Sequence, residues 1–222
     1  MKPTKINGVF QKGNKIFTIN PQNCKNIKVY GETLRTFKGV QYRSWNPYRS
    51  KLASTLTIKN LLLPLKPSTS ILYLGAASGT TVSHLSDICS DGYIYALEPS
   101  PVVAKTLLTL VKQRKNIIPI IEDANHPDRY THMFSEVDFI YQDISQRNQA
   151  EIFAKNAKIF LKENGTGVIM VKARSIDVAM KPAKAFSMVE NQLKEEGMYI
   201  NEIIELSPFE KDHAAIFVSS NK

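Results

Sequence analysis

Acidic and small residues follow three apolar segments of the sequence, at positions where they could bind a ligand. The segment 71–75 leads into the turn Gly75-Ala-Ala-Ser-Gly79, the segment 93–97 is followed by Glu98, and the segment 117–121 is followed by Glu122 and Asp123. Small residues let a backbone approach a ligand closely, and carboxylates accept hydrogen bonds from a ribose diol or an exocyclic amine. The pattern is typical of a nucleotide-like cofactor site.

The turn at Gly75 does not identify its ligand by itself. It lacks the G-x-G-x-x-G spacing of dinucleotide sites, because Ala77 and Thr80 occupy two of the glycine positions, and it lacks the Gly-Lys-Ser/Thr of a P-loop. A helix predicted over 79–89 directs free N–H groups and its positive end toward a ligand. The alternative that this turn is only a tight strand-to-helix connection, without a ligand, stays open.

Two further apolar segments end in residues suited to acid–base chemistry. The segment 137–142 is followed by Asp143, and the segment 166–172 ends at Lys172. Lys172 is a candidate for deprotonating a hydroxyl, because burial lowers the pKa of a lysine, although a neighbouring Asp143 opposes that shift. The alternative that Lys172 and Asp143 only form a structural ion pair stays open. His213 precedes the last strand segment, and the alternative that it is an ordinary loop residue stays open too.

These residues meet only if the apolar segments form one sheet. Helical patterns lie near 79–89, 101–114, 127–133, 147–161 and 182–196, and this alternation predicts a mostly parallel sheet with helices on both faces. The last two strand segments, 199–206 and 214–218, are joined by a loop too short for a crossover helix and are predicted to be antiparallel. Ligands of such sheets bind beyond the carboxyl ends of the strands, where the candidate residues lie.

The first fifty residues have a different pattern. Short β-prone pieces occur at 9–10, 15–19 and 27–30, and Lys12-Gly13-Asn14 is typical of a hairpin turn. A helix is predicted over 51–63. We therefore expect a small β-rich N-terminal domain at 1–50 and a main domain at 51–222.

Composition narrows the class of partner. The chain has 222 residues with 29 Lys and Arg against 20 Asp and Glu, a formal charge of +9 that favours a polyanion such as RNA or DNA, although solvated surface charge stays open. No apolar segment approaches the roughly 20 residues of a membrane helix, and the first residues lack the pattern of a signal peptide, so a cytoplasmic protein without a membrane partner is expected. Cys24 and Cys89 form no metal-binding spacing, and no metal is expected.

The three strand ends and the final hairpin resemble those of S-adenosylmethionine-dependent methyltransferases. More specifically, the chain resembles the fibrillarin family of RNA 2′-O-methyltransferases in segments that occur in order: 45–53, 71–81, 84–87, 95–101, 114–120, 142–146, 171–177 and 210–214. The resemblance implies an α/β fold: a Rossmann-like, seven-stranded class I methyltransferase sheet with a terminal antiparallel hairpin, beside the small N-terminal domain. It also implies S-adenosylmethionine as the cofactor.

The resemblance assigns roles to individual residues. It implies a catalytic set of Lys51, Asp143, Lys172 and His213. It implies a cofactor-binding set of Gly75, Ala77, Ser78, Thr80, Thr81, Glu98, Pro99, Asp123, Ala124, Asp143, Ile144, Ser145 and Gln146. Pro99 and Val102 depart from the family, which usually has an aromatic residue and an arginine at these two positions.

The resemblance also implies partners. The expected activity is guide-RNA-directed methylation of rRNA and tRNA, in a box C/D particle with a Nop-domain scaffold protein and a kink-turn-binding ribosomal-type protein. The sequence lacks the arginine- and glycine-rich tail of the nuclear members of the family. It resembles the archaeal members in this respect, which implies a cytoplasmic protein. One alternative is a catalytically silent subunit that assembles an RNA–protein particle. A nucleotide-dependent oxidoreductase is disfavoured by the missing third glycine and by the terminal hairpin.

Overall fold

The computed structural model describes residues 1–59 and 61–220 and contains two sheets and six α-helices in those ranges. The strands are β1 Lys2–Pro3, β2 Val9–Lys12, β3 Lys15–Ile19, β4 Leu34–Phe37, β5 Val40–Trp45, β6 Ile71–Leu74, β7 Ile94–Leu97, β8 Ile117–Ile120, β9 Val137–Gln142, β10 Leu161–Lys172, β11 Met198–Glu205 and β12 His213–Ser220. The helices are α1 Lys51–Ile58, α2 Thr80–Ile88, α3 Pro101–Gln113, α4 Gln149–Phe160, α5 Ala173–Ile176 and α6 Pro182–Glu195.

The main sheet has seven strands in the order β11-β12-β10-β9-β6-β7-β8. Strands β6 to β10 are parallel, and β12 is antiparallel to both β10 and β11. The fold predicted from the sequence, with its terminal antiparallel hairpin, is confirmed. The five parallel strands end at residues 74, 97, 120, 142 and 172, within one residue of the predicted ends.

Burial explains why the central strands form where they do. All four residues of β6 are buried, as expected for a parallel strand covered by helices on both faces. One apolar cluster covers the face with α1, α2 and α3, and a second covers the face with α4 and α6. Helix α3 begins with Ser100, whose hydroxyl accepts from the Val103 N–H, and with Pro101 in the first turn.

Several predicted elements are wrong. The segment 27–30 is not a strand, because the N–H groups of Val29 and Tyr30 donate to the Glu32 carboxylate instead of to a neighbouring strand. Instead of the helix predicted over 127–133, the structure has a short 3-10 helix at Pro127–Arg129. After it, the Met133 N–H donates a hydrogen bond to the Tyr130 carbonyl, as in a single turn. Helix α1 ends at Ile58 instead of residue 63, and β10 begins at Leu161 instead of residue 166.

The N-terminal sheet is antiparallel throughout, in the order β1-β2-β3-β5-β4. Lys12 pairs with Lys15 across the predicted hairpin turn. Strands β1, β4 and β5 were not predicted. Ile16 and Trp45 on one face of this sheet belong to the same apolar cluster as Leu52 of α1 and Leu85 of α2. The two sheets therefore share a core, and the domain boundary at residue 50 stays a prediction.

Candidate active site

The loops that carry the acidic residues leave the main sheet at one level. Leu74 is in register with Leu97 and with Gln142, and Leu97 is in register with Ile120. The residue after each strand then bonds to its neighbour: Asp143 N donates to Leu74 O at 2.9 Å, Gly75 N to Leu97 O at 3.0 Å, and Glu98 N to Ile120 O at 3.0 Å. The structure thus brings Gly75, Glu98 and Asp143 to one edge.

The turn between β6 and α2 is held in an uncommon backbone conformation. Gly75, Ala77 and Gly79 have φ values of 85°, 47° and 87°. A side chain on Gly75 would place its Cβ 2.5 Å from the Asp143 carbonyl oxygen. Only glycine fits there, because this φ is strained for other residues and the space is already filled.

Glu98 fixes the turn from the neighbouring strand. One oxygen of its carboxylate accepts from the Ala77 N–H at 2.9 Å, and the other accepts from the Ser100 N–H at 3.0 Å. The residue is only 8% exposed, yet each oxygen keeps a lone pair for a further donor. Glu98 is therefore an oriented acceptor at the rim of the turn.

The side chain of Asn125, which the sequence interpretation missed, connects Asp123 to Gln146. One oxygen of Asp123 accepts from both the N–H and the amide of Asn125, and the same amide donates to Gln146 at 2.8 Å. The Asn125 N–H is the main reason why the pKa of Asp123 lies below its ordinary value, so Asp123 is an ionised acceptor at neutral pH. The signal in the sequence is the Asp-x-Asn spacing of an Asx turn.

Lys51 pairs with Asp143. The Lys51 Nζ lies 2.6 Å from Asp143 Oδ1, and the two side chains are 21% and 22% exposed. The sequence interpretation expected Lys172 as the neighbour of Asp143, but Lys172 forms no ion pair within residues 1–59 and 61–220. The position of Lys51 follows from Ser50, whose hydroxyl caps α1 through the Ala53 N–H and lies 2.9 Å from the Thr81 hydroxyl.

Two tyrosines lie beneath this pair and were also missed. Tyr73 and Tyr141 stack with their ring centroids 4.4 Å apart, on the adjacent strands β6 and β9. Burial, followed by the negative charge of Asp143, raises the pKa of Tyr73. Both phenols are neutral at physiological pH, so they place no second negative charge near Asp143. Each tyrosine stands two residues before its site residue, which is the only signal in the sequence.

Lys172 and His213 face each other across the β10–β12 ladder. They are directly opposed in the antiparallel register, so both side chains lie on the same face of the sheet. His213 Nδ1 lies 2.7 Å from the Lys211 carbonyl oxygen, which can only accept, so Nδ1 carries a proton. Nε2 is then the acceptor of the neutral ring. Ile169 is in register with Gln142, so Lys172 stands three residues, roughly 10 Å, beyond that level.

The remaining residues of the predicted cofactor set differ in accessibility. Ala77, Ser78, Pro99 and Ser145 are exposed, and Thr80 and Ile144 are half-buried. Thr81 is buried with its hydroxyl against Ser50, and Ala124 is buried with its carbonyl bonded to Asn156. In the described ranges, no group of three or more His, Cys, Asp or Glu side chains could hold a metal, and no helix is long and apolar enough to cross a membrane.

The strand order, the hairpin and the acid-lined edge define a class. Solved S-adenosylmethionine-dependent methyltransferases that are 14–17% identical match 70–96% of the chain with a TM-score of 0.53, which shows a common fold. The fibrillarin family profile matches residues 1–222. The chain belongs to the fibrillarin family.

Individual relatives are similar over most of their length. The fibrillarin-like rRNA/tRNA 2′-O-methyltransferase of Thermococcus sibiricus is 48% identical over 192 residues, which is 86% of this chain and 84% of the relative. The structure of Aeropyrum pernix fibrillarin with natively bound S-adenosyl-L-methionine is 44% identical, with a TM-score of 0.84 over 92% of this chain and 88% of that one. A fibrillarin/Nop5p complex is 43% identical, with a TM-score of 0.88 over 97% and 99%.

Proposed function

We propose that the chain transfers a methyl group from S-adenosylmethionine to a ribose 2′-hydroxyl of rRNA or tRNA. The observation that carries the proposal is the Lys51–Asp143 pair at the carboxyl edge of the sheet, in a member of the fibrillarin family. A relative is named as an rRNA/tRNA 2′-O-methyltransferase, and another has S-adenosyl-L-methionine bound. The resemblance implies Lys51, Asp143, Lys172 and His213 as the catalytic set, and we propose that role for them here.

The side chains at this edge fit the proposed cofactor by their chemistry. Glu98 would accept from the ribose diol, and Asp123, whose pKa is lowered, would accept from the adenine amine. Free N–H groups in the first turn of α2 suit the carboxylate of the methionine moiety. Of the two threonines in that turn, Thr80 is the better polar contact, because the Thr81 hydroxyl is already bonded to Ser50.

The chain's own residues have separable roles in this reaction. When bound, S-adenosylmethionine supplies an electrophilic methyl group on a positively charged sulfur. Lys172 accepts or steers the proton of the 2′-hydroxyl. Asp143 presents a carboxylate oriented by Lys51, and His213 contacts the ribose or its phosphate. Because the leaving group is already activated, positioning supplies much of the rate enhancement.

We further propose that the target is selected by a box C/D guide RNA. The fibrillarin/Nop5p complex supports a Nop-domain partner for this chain, and the positive charge supports RNA contacts. A kink-turn-binding ribosomal-type protein completes the proposed particle. The chain alone is then expected to methylate naked RNA poorly, and the cytoplasmic placement stays a prediction.

The proposal is tested by reconstituting the chain with guide RNA, a target RNA, a Nop-domain protein and a kink-turn-binding protein. We expect incorporation of a tritiated methyl group and one new position that resists alkaline hydrolysis, because a methylated 2′-oxygen cannot attack its phosphodiester. Omission of the guide should abolish the position. An assembled particle without incorporation would favour the silent assembly subunit instead.

The role of Lys172 is tested in the same particle. Lys172→Ala should lower methyl transfer at least 100-fold, in line with the usual contribution of general acid–base catalysis. Binding of S-adenosylmethionine, measured by calorimetry, should change less than threefold. Lys184→Ala, at an exposed lysine of α6 without an ion pair in the described ranges, is the matched control. Near wild-type turnover of Lys172→Ala would remove this residue from the mechanism.

A further inference from the structure

The net charge of the chain is confined to its N-terminal part. Of 29 basic residues, ten lie among residues 1–50, whereas only one of the 20 acidic residues, Glu32, lies there. Residues 1–50 therefore carry a formal charge of +9, and residues 51–222 carry 19 charges of each sign. The net charge of the whole protein lies on the N-terminal sheet and its loops.

Apart from Arg43, the basic side chains of this part are exposed and lack acidic partners. Arg43 and Glu32 are buried and pair with each other at 2.7 Å, which leaves no other carboxylate side chain within residues 1–50. None of the other nine basic side chains forms an ion pair within residues 1–59 and 61–220, although nine of the basic residues after residue 50 do. The nine exposed residues are Lys2, Lys5, Lys12, Lys15, Lys25, Lys28, Arg35, Lys38 and Arg49.

Three of these residues lie on one face of the sheet. Lys12 pairs with Lys15 across the hairpin, and Arg35 pairs with Tyr42. Ile16, Arg43 and Trp45 alternate with these positions and face α1 and α2, so alternation places the three basic residues on the opposite, outer face. The same face also carries Phe17 and Tyr42, which are buried. Two like charges in direct opposition destabilise a hairpin, which argues for a ligand that compensates them.

We propose that the outer face of the N-terminal sheet is an RNA-binding surface that contacts the phosphate backbone. An unscreened positive surface attracts a ligand with a high density of negative charge, and RNA is the polyanion on which the proposed activity acts. The inference rests on the proposed function and deepens it. The main domain, which has no net charge, carries out the methyl transfer, and the N-terminal sheet supplies affinity for the RNA.

The surface adjoins the candidate active site through the chain itself. Lys15 precedes Ile16, which is in register with Trp45, so the Lys12–Lys15 hairpin lies at the end of the sheet from which the chain leaves toward α1. Only five residues separate Trp45 from Lys51, a reach of about 20 Å at most. Because α1 packs against the inner face of the sheet, an RNA strand bound along the outer face would pass over this end of the sheet to reach Lys51.

The experiment compares two triple variants with the same change in charge. Lys12→Gln, Lys15→Gln and Arg35→Gln alter the outer face. The control alters Lys105, Lys112 and Lys184 to Gln, which are equally exposed and form no ion pair in the described ranges. Anisotropy of a fluorescein-labelled RNA, as a single strand and as a duplex, is measured without cofactor between about 50 and 250 mM KCl.

We expect the outer-face variant to bind RNA at least tenfold more weakly at low salt. The slope of log affinity against log salt should fall by about 2 to 3, since each lost phosphate contact contributes about 0.7 to 0.9. The control should change affinity less than threefold. Equal losses in both variants would reduce the effect to net charge and overturn the proposal, as would unchanged binding by the outer-face variant.

Two additional readouts distinguish an RNA-binding surface from a protein-binding surface and from an effect on the chemical step. Loss of binding to the Nop-domain protein without loss of RNA binding would make the surface a site for an acidic protein and overturn the proposal. In the methylation assay, the outer-face variant should raise the KM for RNA with less than a twofold change in kcat. If the wild-type chain transfers no methyl group, the proposed function fails, but the anisotropy comparison still decides the RNA-binding surface.

Discussion

The ion pair between Lys51 and Asp143 is the contact on which the proposed chemistry of the site depends most directly. Both side chains are only about one-fifth exposed, and an ion pair this far buried is weak evidence for stability, because the cost of desolvation offsets the attraction. The pair is therefore better explained by positioning than by stability. Because Oδ1 of Asp143 accepts a hydrogen bond from Lys51, the orientation of its second oxygen is fixed as well. The two neighbouring tyrosines, Tyr73 and Tyr141, are neutral and do not oppose the charge of Asp143.

Substitution of Lys51 should separate activity from stability. We expect Lys51→Gln to lower methyl transfer by the reconstituted particle at least tenfold, because the Asp143 carboxylate loses its partner, and to lower the free energy of unfolding by less than about 1 kcal/mol. Lys59→Gln is the matched control, because Lys59 pairs with Glu202 at the other end of α1. It should change stability as little and leave turnover intact. Unchanged turnover of Lys51→Gln would show that the pair does not position Asp143.

Two elements hold the site together: the glycine turn that leads into α2, and the short helix α1. They are joined by a hydrogen bond between two hydroxyl groups. The Ser50 hydroxyl caps α1 and lies against Thr81 in the first turn of α2. The helix that carries Lys51 is thereby fixed to the helix that begins at the glycine turn. A shift of either helix would move Lys51 relative to Asp143.

The glycine turn should tolerate no side chain at Gly75. Gly75 and Gly31 have the same φ of 85°, but a Cβ on Gly75 would lie 2.5 Å from the Asp143 carbonyl oxygen, whereas a Cβ on Gly31 would have nothing within 4 Å. Gly31→Ala should cost about 1–2 kcal/mol from backbone strain alone. Gly75→Ala should cost about 1–3 kcal/mol more, from overpacking, and should weaken S-adenosylmethionine binding. Urea denaturation and calorimetry measure the two effects, and equal unfolding free energies for the two variants would contradict the steric argument.

The sequence predicts the sheet better than the contacts at its edge. Apolar strands end where a charged or small residue follows, so Asp143 and Glu98 were placed correctly at strand ends. The partner of Asp143 was not predicted, because the local pattern around Lys51 indicates a helix but not where that helix packs. The segment at Val29 was predicted wrongly for a related reason: its N–H groups bind a side chain, which no strand periodicity reveals.

Across the whole molecule, a buried polar cluster joins the N-terminal sheet to α2. Arg43 of β5 pairs with Asp87 of α2 at 2.5 Å, and Arg114 pairs with the other oxygen of the same carboxylate at 3.1 Å. His84 stacks on Trp45 with centroids 4.8 Å apart. Removing one partner from such a cluster leaves a buried charge without compensation, so these contacts hold the N-terminal sheet against α2 of the main domain.

The proton positions in this cluster follow from its acceptors. The Thr18 hydroxyl donates to Asp87 at 2.9 Å, so His84 Nδ1, which lies 2.8 Å from the same hydroxyl oxygen, must donate to it. In the neutral ring Nε2 is an acceptor, and it competes with the Ser44 carbonyl oxygen for the single proton of the Tyr30 hydroxyl, which lies 2.8 Å from Nε2 and 2.9 Å from that carbonyl oxygen. Burial, followed by the positive charges of Arg43 and Arg114, lowers the pKa of His84 well below its ordinary value of 6.5. His84 is therefore neutral in the folded protein.

This neutrality gives the whole fold a defined dependence on pH. Below about pH 6.5 the unfolded chain binds a proton at His84 and the folded chain does not, so the contribution of His84 lowers stability as the pH falls, by about 1.4 kcal/mol per pH unit. In His84→Gln this contribution is absent. Urea denaturation between pH 7 and 5.5 should therefore show a steeper loss of stability in the wild type than in His84→Gln, whatever their absolute stabilities. Asp87 and Glu32 titrate in both proteins and largely cancel in the comparison. Parallel pH profiles would mean that His84 binds its proton in the folded state, with Tyr30 and Thr18 both accepting from it.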